Sequence, residues 1–581
     1  MNPSTRVTLG ACGGATVAAI VAPFTRRFFS VPTVGVGAIT VNAYPKGWDY
    51  AVVALLIAGA FIGGALLARP RGEWPLAEPA RSSRRAMWIV TATVFVLMLF
   101  VHDHPYALMD PFHEGEHLTA GWLYQSGERP YRDFFIFHGL AADAVLDASV
   151  LGHPPSPRRV RRQQTLLDAA TLALLVPIAA EVTATTAGLA CAVLASLCAA
   201  AALWVPVFPY YRLLPVFLVA LGLLRYARNG RAAPLLLAFA SGTLGILWSL
   251  DTGLFALAGA CGGFVLIALI ERRRWRNALL LALVALVLPF IVLLATRADV
   301  HQFFVDSFLI MPKAIDAVWS LPAPEPRTLE AMRYYLPPVF YGLLFARALL
   351  AYRQGNRLRA SQLAIVALLS ALLFRTAAGR AGWSHTRFAV PLLGIAVVAF
   401  VLEPLFARRR WLPAILITLP LIFYFELWPN VAAGAKLLGG WRGRQRHEGL
   451  VAYPFATGKG IYTTPQNATE LAALNGFIDS LGPRDATILD FSNERALYYL
   501  LQRKPPVRCM EISMLSVPRL LSEAMAQLEA HPPVCVIAEG DPIIASFDGV
   551  SNRTRVPELA RWIDANYPKR TQVGRFVVAH R

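Results

Sequence analysis

The chain has 581 residues, of which 56% are hydrophobic and 16% charged, and its formal net charge is +19. A soluble domain carries nearer a quarter of charged residues, so the body of this protein is not a soluble enzyme; its mean hydropathy is +0.49. The arginines sit in short clusters between apolar runs: Arg81, Arg84 and Arg85; Arg272, Arg273 and Arg274; Arg408, Arg409 and Arg410. That is the positive-inside pattern of cytoplasmic loops, not a basic face for nucleic acid, and no nucleic-acid partner is expected.

Apolar runs of membrane-span length are read near 8–24, 49–68, 86–102, 136–152, 165–185, 187–206, 213–226, 234–250, 253–270, 278–296, 336–350, 361–375, 388–406 and 411–428. The first has a weak basic start and no small-residue cleavage site, so it is read as a retained anchor. The expected fold is a polytopic α-helical membrane bundle of about 11–14 spans with a C-terminal extracytoplasmic α/β domain. The basic loop 69–85 is placed in the cytoplasm, which puts 103–135 outside. Basic linkers at 225–231, 271–276, 351–359 and 408–410 likewise put Asp251, 297–335, 375–387 and everything from 429 outside. Arg158, Arg159, Arg161 and Arg162 also read as cytoplasmic, and the crossings between 136 and 226 then miss by one. One of those segments is re-entrant or wrongly divided.

The tail changes character. Helices are read at Ala468–Leu481, Asn493–Gln502, Ser516–Ala530 and Pro557–Tyr567, and strands at Ala486–Phe491, Val534–Ala538 and Arg575–Ala579, the pattern of a small α/β domain. Three parts follow: N-terminal spans over 1–85, a catalytic membrane module over 86–428, and the outer domain over 429–581. Cys12, Cys191, Cys198 and Cys261 read as small residues within spans. Cys509 and Cys535 can pair in an oxidising compartment, although two unpaired buried thiols are the simpler reading.

Acids and histidines crowd into 102–138: His102, Asp103, His104, Asp110, His113, Glu114, Glu116, His117, Glu128, Asp133 and His138. Carboxylates at a membrane surface are costly unless solvated or used. His113-Glu114-Gly115-Glu116-His117 matches H-E-x-x-H, in which two histidines one turn apart bind zinc and the glutamate activates water. A membrane zinc metalloprotease is therefore the alternative reading. The glycine weakens the helix that the motif needs, and no third ligand stands out.

The longer context runs from Glu114-Gly115 through Leu118, Ala120, Leu123 and Gly127 to Pro130-Tyr131-Arg132-Asp133-Phe134-Phe135 and His138-Gly139. This run resembles the first extracytoplasmic loop of GT-C glycosyltransferases, the bacterial relatives of protein O-mannosyltransferases and of lipid A aminoarabinose transferases. Their pattern is Asp-Glu-Gly, an amphipathic helix, a turn glycine, Pro-Tyr-Arg-Asp-Phe-Phe and a His before the next span. Leu489-Asp-Phe-Ser-Asn-Glu494 and Ala530-His-Pro-Pro-Val-Cys-Val-Ile537 are similar to that family's C-terminal domains. The resemblance implies transfer of a sugar, with inversion, from a polyprenyl-phosphate donor to an extracytoplasmic hydroxyl on a glycan, lipid or protein. It also implies a multi-pass protein of the bacterial plasma membrane, in contact with membrane lipids. This sequence departs from the pattern at one position: the family's usual base is the first acid of Asp-Glu, where His113 stands. The base is therefore sought among Glu114, Asp110 and His113.

Such a reaction needs a base for the acceptor proton and cations to steady the departing phosphate. No cofactor is required; a divalent metal is possible but not implied, and no metal ligands are assigned. Glu116, Arg132, Asp133, His138 and Asp251 are the candidate substrate-binding residues. Arg380, His385 and Arg387, at the outer mouth of a span, are the candidates for the lipid phosphate.

Overall fold

A computed structural model describes residues 3–29, 46–68, 84–101, 108–153, 155–201, 209–272, 276–325, 328–381, 383–403, 449–546 and 549–581. The span read at 411–428 lies outside the described residues, as do His102, Asp103, His104 and the 408–410 arginines. The protein is a multi-pass helical membrane protein with a small C-terminal sheet. Seven described helices are long and apolar enough to cross a bilayer: Arg6–Phe28, Gly47–Leu67, Pro157–Val182, Tyr210–Asn229, Leu250–Glu271, Leu329–Arg353 and Arg357–Gly379. Five shorter apolar helices accompany them: Met87–Leu99, Thr186–Leu197, Ala232–Trp248, Leu281–Ala295 and Pro391–Leu402.

Small residues let the spans approach closely, because lipid gives helices no hydrophobic reason to associate and packing must do it. The first two spans touch backbone to backbone, and a Cβ on Gly63 would lie 2.1 Å from the Gly10 carbonyl oxygen.

The segment 136–152 is the exception to the apolar-run reading. It forms a π turn, Ala141–Val145, and a single helical turn and a half, Leu146–Leu151, before Gly152 turns the chain at φ +71°. At about 1.5 Å per residue this rises only about 16 Å, half of the roughly 30 Å hydrocarbon core. It does not cross, and the parity between 103–135 and 225–231 closes without it.

The tail forms a four-stranded sheet in the order Ile488–Asp490, Cys535–Glu539, Phe576–His580, Lys569–Val573, with the first pair parallel and the others antiparallel. The edge strand Lys569–Val573 and a two-stranded ribbon, Val451–Ala452 with Tyr462–Thr463, were not anticipated from the sequence. Helices Pro465–Leu481, Ala496–Leu501, Pro518–Ala530 and Pro557–Asn566 complete the domain. Cys509 and Cys535 are both buried, free thiols.

The tail and the first loop share one core. Leu118, Leu123 and Phe134 of the loop pack in a cluster with Ile488, Leu497 and Tyr498 of the tail. Phe135 and Phe137 join a second cluster with Leu489, Ile512 and Leu515. Phe134 and Phe135 are fully buried, each contributing about 1.5–3 kcal/mol, so the loop is held by apolar burial before any charge is counted.

Candidate active site

Asp110 stands just before the loop helix His113–Gln125. Asp110 Oδ1 accepts the N–H groups of Phe112 and His113, both at 3.0 Å, satisfying donors that the first turn leaves free. Its other oxygen, Oδ2, lies 2.7 Å from His113 Nδ1, and each side chain is about a quarter exposed, at 27% and 26%. Burial alone would raise Asp110, but the hydrogen bond and charge of His113 outweigh it and hold the carboxyl below its ordinary value. The result is a carboxylate–imidazole pair facing solvent.

Glu114 is in the opposite state. It is buried, and Arg161 holds it bidentately, Nε to Oε1 at 2.6 Å and Nη2 to Oε2 at 2.7 Å. Oε2 also accepts the Asp110 N–H at 2.8 Å. This contact puts Arg158–Arg162 on the same side as the loop, against the reading that set the two across the membrane from each other. Arg161 reaches into the loop, and Ser156 Oγ donates to the Lys459 carbonyl at 2.9 Å, so 156–161, the loop and the tail lie on one side. The sequence separates them because 136–152 is apolar enough for a span, yet it is too short to be one.

Glu116 is buried between His138 Nδ1, 3.0 Å from Oε1, and Arg495 Nη2, 3.2 Å from Oε2. Burial raises its carboxyl, and these cations more than reverse that and keep it ionised. Burial works against a charge on His138, yet Glu116 and Asp143 hold the ring protonated, raised to about 10. His117 turns away from His113, with Nδ1 3.5 Å from Asp143 and 3.6 Å from Asp147. The two histidines of the H-E-x-x-H run thus face different partners, and His113 is spent on Asp110.

Arg495 comes from the tail, fully buried, paired also to Glu511 at 2.9 Å and lying over the Phe112 ring at 4.1 Å. Thr119 donates to its carbonyl at 2.9 Å, and Ala496 N–H donates to the Pro111 carbonyl at 2.9 Å. This is why a glycine follows Glu114: a Cβ at Gly115 would sit 2.2 Å from Ala496 N.

The Pro130–Phe135 stretch is an anchor for the tail. Tyr131 takes the left-handed backbone conformation, φ +66°, and its carbonyl accepts from Arg508 Nη1 at 3.0 Å. Arg508 pairs in turn with Asp306 of the second loop and with Glu523 of the tail. Asp133 is exposed and accepts the Arg129 N–H at 2.7 Å, tightening the turn. Arg132 is exposed, 3.6 Å from Asp133. Neither lies among the charges of Glu116 and His138.

Asp251 accepts from Arg212 Nη2 at 2.8 Å and from Ser249 Oγ at 2.9 Å, and Arg212 Nε donates to Ser249 at 3.0 Å. Asp251 is within electrostatic reach of both His138 and His385. Burial, then the charges of Arg380 and Arg212, hold His385 neutral, down to about 3. Arg380 Nη1 donates to the Trp319 carbonyl at 3.2 Å, on the second loop, and Lys46 also donates to that loop at Leu321. Arg387 belongs to the same short helix as His385, Trp383–Ala389; its side chain lies outside the described residues. The structure thus gathers His138, Asp251, Arg380 and His385 into one charged zone, with Asp110 and His113 at the end of the loop helix.

No protein-family model matches the chain, and no curated protein matches it. Two solved structures are similar to it. Both are ArnT from Cupriavidus metallidurans, one bound to undecaprenyl phosphate and one in the apo state. Each is 13% identical and covers 86% of this chain and 98% of its own, with TM-scores of 0.46 and 0.44.

Sequence reasoning missed Arg161, Arg212, Arg495, Asp143 and Asp147. Arg212 carried a signal, a cation following Pro209-Tyr210-Tyr211 at the head of an apolar run. Asp143 and Asp147 carried one too, as acids within a supposed span. Arg161 and Arg495 carried none, because their partners lie far away in the chain.

Proposed function

We propose that the protein is a glycosyltransferase that moves a sugar from a polyprenyl-phosphate donor to an acceptor hydroxyl on the extracytoplasmic face of a bacterial plasma membrane. The observation that carries this reading is the pair Asp110–His113 at 2.7 Å, set at the position where the resembled family keeps its base. His113 takes the acceptor proton, and Asp110 orients the ring and steadies the imidazolium, the logic of a base positioned by a third group. Glu114, the other candidate, has both oxygens engaged by Arg161, and its role is to hold the loop helix. The sugar's anomeric carbon is attacked by the acceptor oxygen as its bond to the phosphate breaks, so configuration inverts. Arg380 supplies the positive charge toward which the leaving phosphate would turn, since Arg212 is paired with Asp251 at 2.8 Å and Lys46 with Asp49 at 2.9 Å. The tail closes over the loop through Arg495 and Arg508.

The test is direct. Purified protein in detergent is incubated with radiolabelled polyprenyl-phosphate pentoses and hexoses and with cell-envelope glycans and lipids. Release of polyprenyl phosphate, matched by appearance of the labelled sugar on an acceptor, is the expected result. Chelator-sensitive cleavage of a peptide, with every donor left intact, would overturn the reading in favour of a protease.

A further inference from the structure

Behind the loop helix lies a group of side chains that the proposed transfer does not use. His117, His138 and Asp143 each offer one ligand atom, and these atoms all lie within 4.8 Å of one another. Asp143 Oδ1 is 3.5 Å from His117 Nδ1 and 3.6 Å from His138 Nδ1, and Asp147 Oδ2 is 3.6 Å from His117 Nδ1. These separations are too long for hydrogen bonds. These three match edges of a tetrahedron around zinc, about 3.3–3.6 Å for metal–ligand bonds of about 2.0–2.2 Å.

The second observation concerns unmet polar atoms. Asp143 is 1% exposed and Asp147 2%, and Asp143 Oδ1 and Asp147 Oδ2 make no hydrogen bond, while His138 Nδ1 is paired with Glu116 Oε1 at 3.0 Å. Buried carboxylate oxygens left so are expensive. Asp143 Oδ2, by contrast, is satisfied by the His138 N–H at 2.6 Å and the Gly139 N–H at 3.3 Å. That fixes the carboxylate with its free oxygen turned toward the two rings, the way outer hydrogen bonds orient metal ligands.

We propose that His117, His138, Asp143 and Asp147 bind a divalent transition-metal ion, zinc by ligand type, which pins the loop helix to the 138–147 turn. Two imidazoles and two carboxylates suit zinc among available ions. Glu116 and Arg495 compensate each other beside it, and Arg212 compensates Asp251, so two aspartates remain whose charge an ion would balance. The Ala142 carbonyl, 3.3 Å from His117 Nδ1, gives up a long contact when the nitrogen turns to metal. The site is distinct from the H-E-x-x-H pairing, because His113 is not part of it.

The test uses the full chain in detergent and reads metal, not sugar transfer. Protein stripped with chelator and dialysed is titrated with ZnCl2, and with CoCl2 for the visible absorption of tetrahedral cobalt. One equivalent per chain, a rise in melting temperature on adding Zn2+ to the wild-type protein, and a tetrahedral cobalt spectrum are expected. Asp143→Asn and His117→Ala should weaken zinc binding by more than about tenfold, while His153→Ala, at an exposed histidine elsewhere, should not. A wild-type protein that takes up no stoichiometric zinc and gains no stability from it overturns the proposal. Unchanged binding in His117→Ala and Asp143→Asn overturns it equally.

Discussion

Arg161 grips Glu114 through both arms of its guanidinium, at 2.6 and 2.7 Å, with both side chains buried. Removing one partner of such a pair strands the other charge, at a cost of about 3–5 kcal/mol. Glu114→Gln is therefore expected to melt well below the wild type, and Arg161→Ala likewise. Thermal unfolding in detergent, with turnover corrected for the folded fraction, separates this from catalysis. A Glu114→Gln protein that melts normally and is inactive would make Glu114 the base.

Asp110→Asn and His113→Ala act on the reaction instead. Each should lower turnover by about 100- to 10,000-fold, the usual worth of a general base, with the double variant little worse than the poorer single one. Asparagine keeps an oxygen for the Phe112 and His113 N–H groups, so stability should change by less than about 0.5 kcal/mol. Additive losses in the double variant would separate the two residues into independent roles.

Gly115→Ala tests the docking of the tail. The new methyl meets backbone at Ala496, which has no rotamer to yield, and overpacking of this kind costs about 1–3 kcal/mol. The expected outcome is faster proteolysis of the tail, with the melting of the spans unaltered. Wild-type proteolysis rates would show that the loop and tail separate freely.

Membrane sidedness offers an independent check. Cysteines placed at Ser126, His153 and Ser551, all exposed, should react with an impermeant thiol reagent from the same side. Labelling of His153→Cys from the opposite side would restore the segment 136–152 as a span.

Asp490 provides a pH signature for the tail. Burial raises its carboxyl to about 7, partly opposed by hydrogen bonds from Ser492. A group raised on folding stabilises fully below its unfolded value of about 3.9, and that contribution is lost as pH rises through about 7. The tail should therefore melt at progressively lower temperature from pH 5 to 7.5, and Asp490→Asn should flatten that slope. An unchanged slope would place the titration elsewhere.

The sequence by itself determined what is local. Hydropathy marked most spans, because a membrane helix is apolar over its whole length. Alternation and helix stops marked the tail's main elements, and the unbroken run from Glu114 to His138 marked the loop. Only the tertiary structure decided what each charge does. Glu114 and Asp110 are four residues apart and equally acidic on paper, yet one is sealed against Arg161 and the other is open beside His113. Glu116 finds its counter-charge in Arg495 of the tail. The apolar segment 136–152 turned out not to be a span, because a π turn and a left-handed glycine end it early. Ion pairs depend on which surfaces meet, and no periodicity records a partner hundreds of residues away.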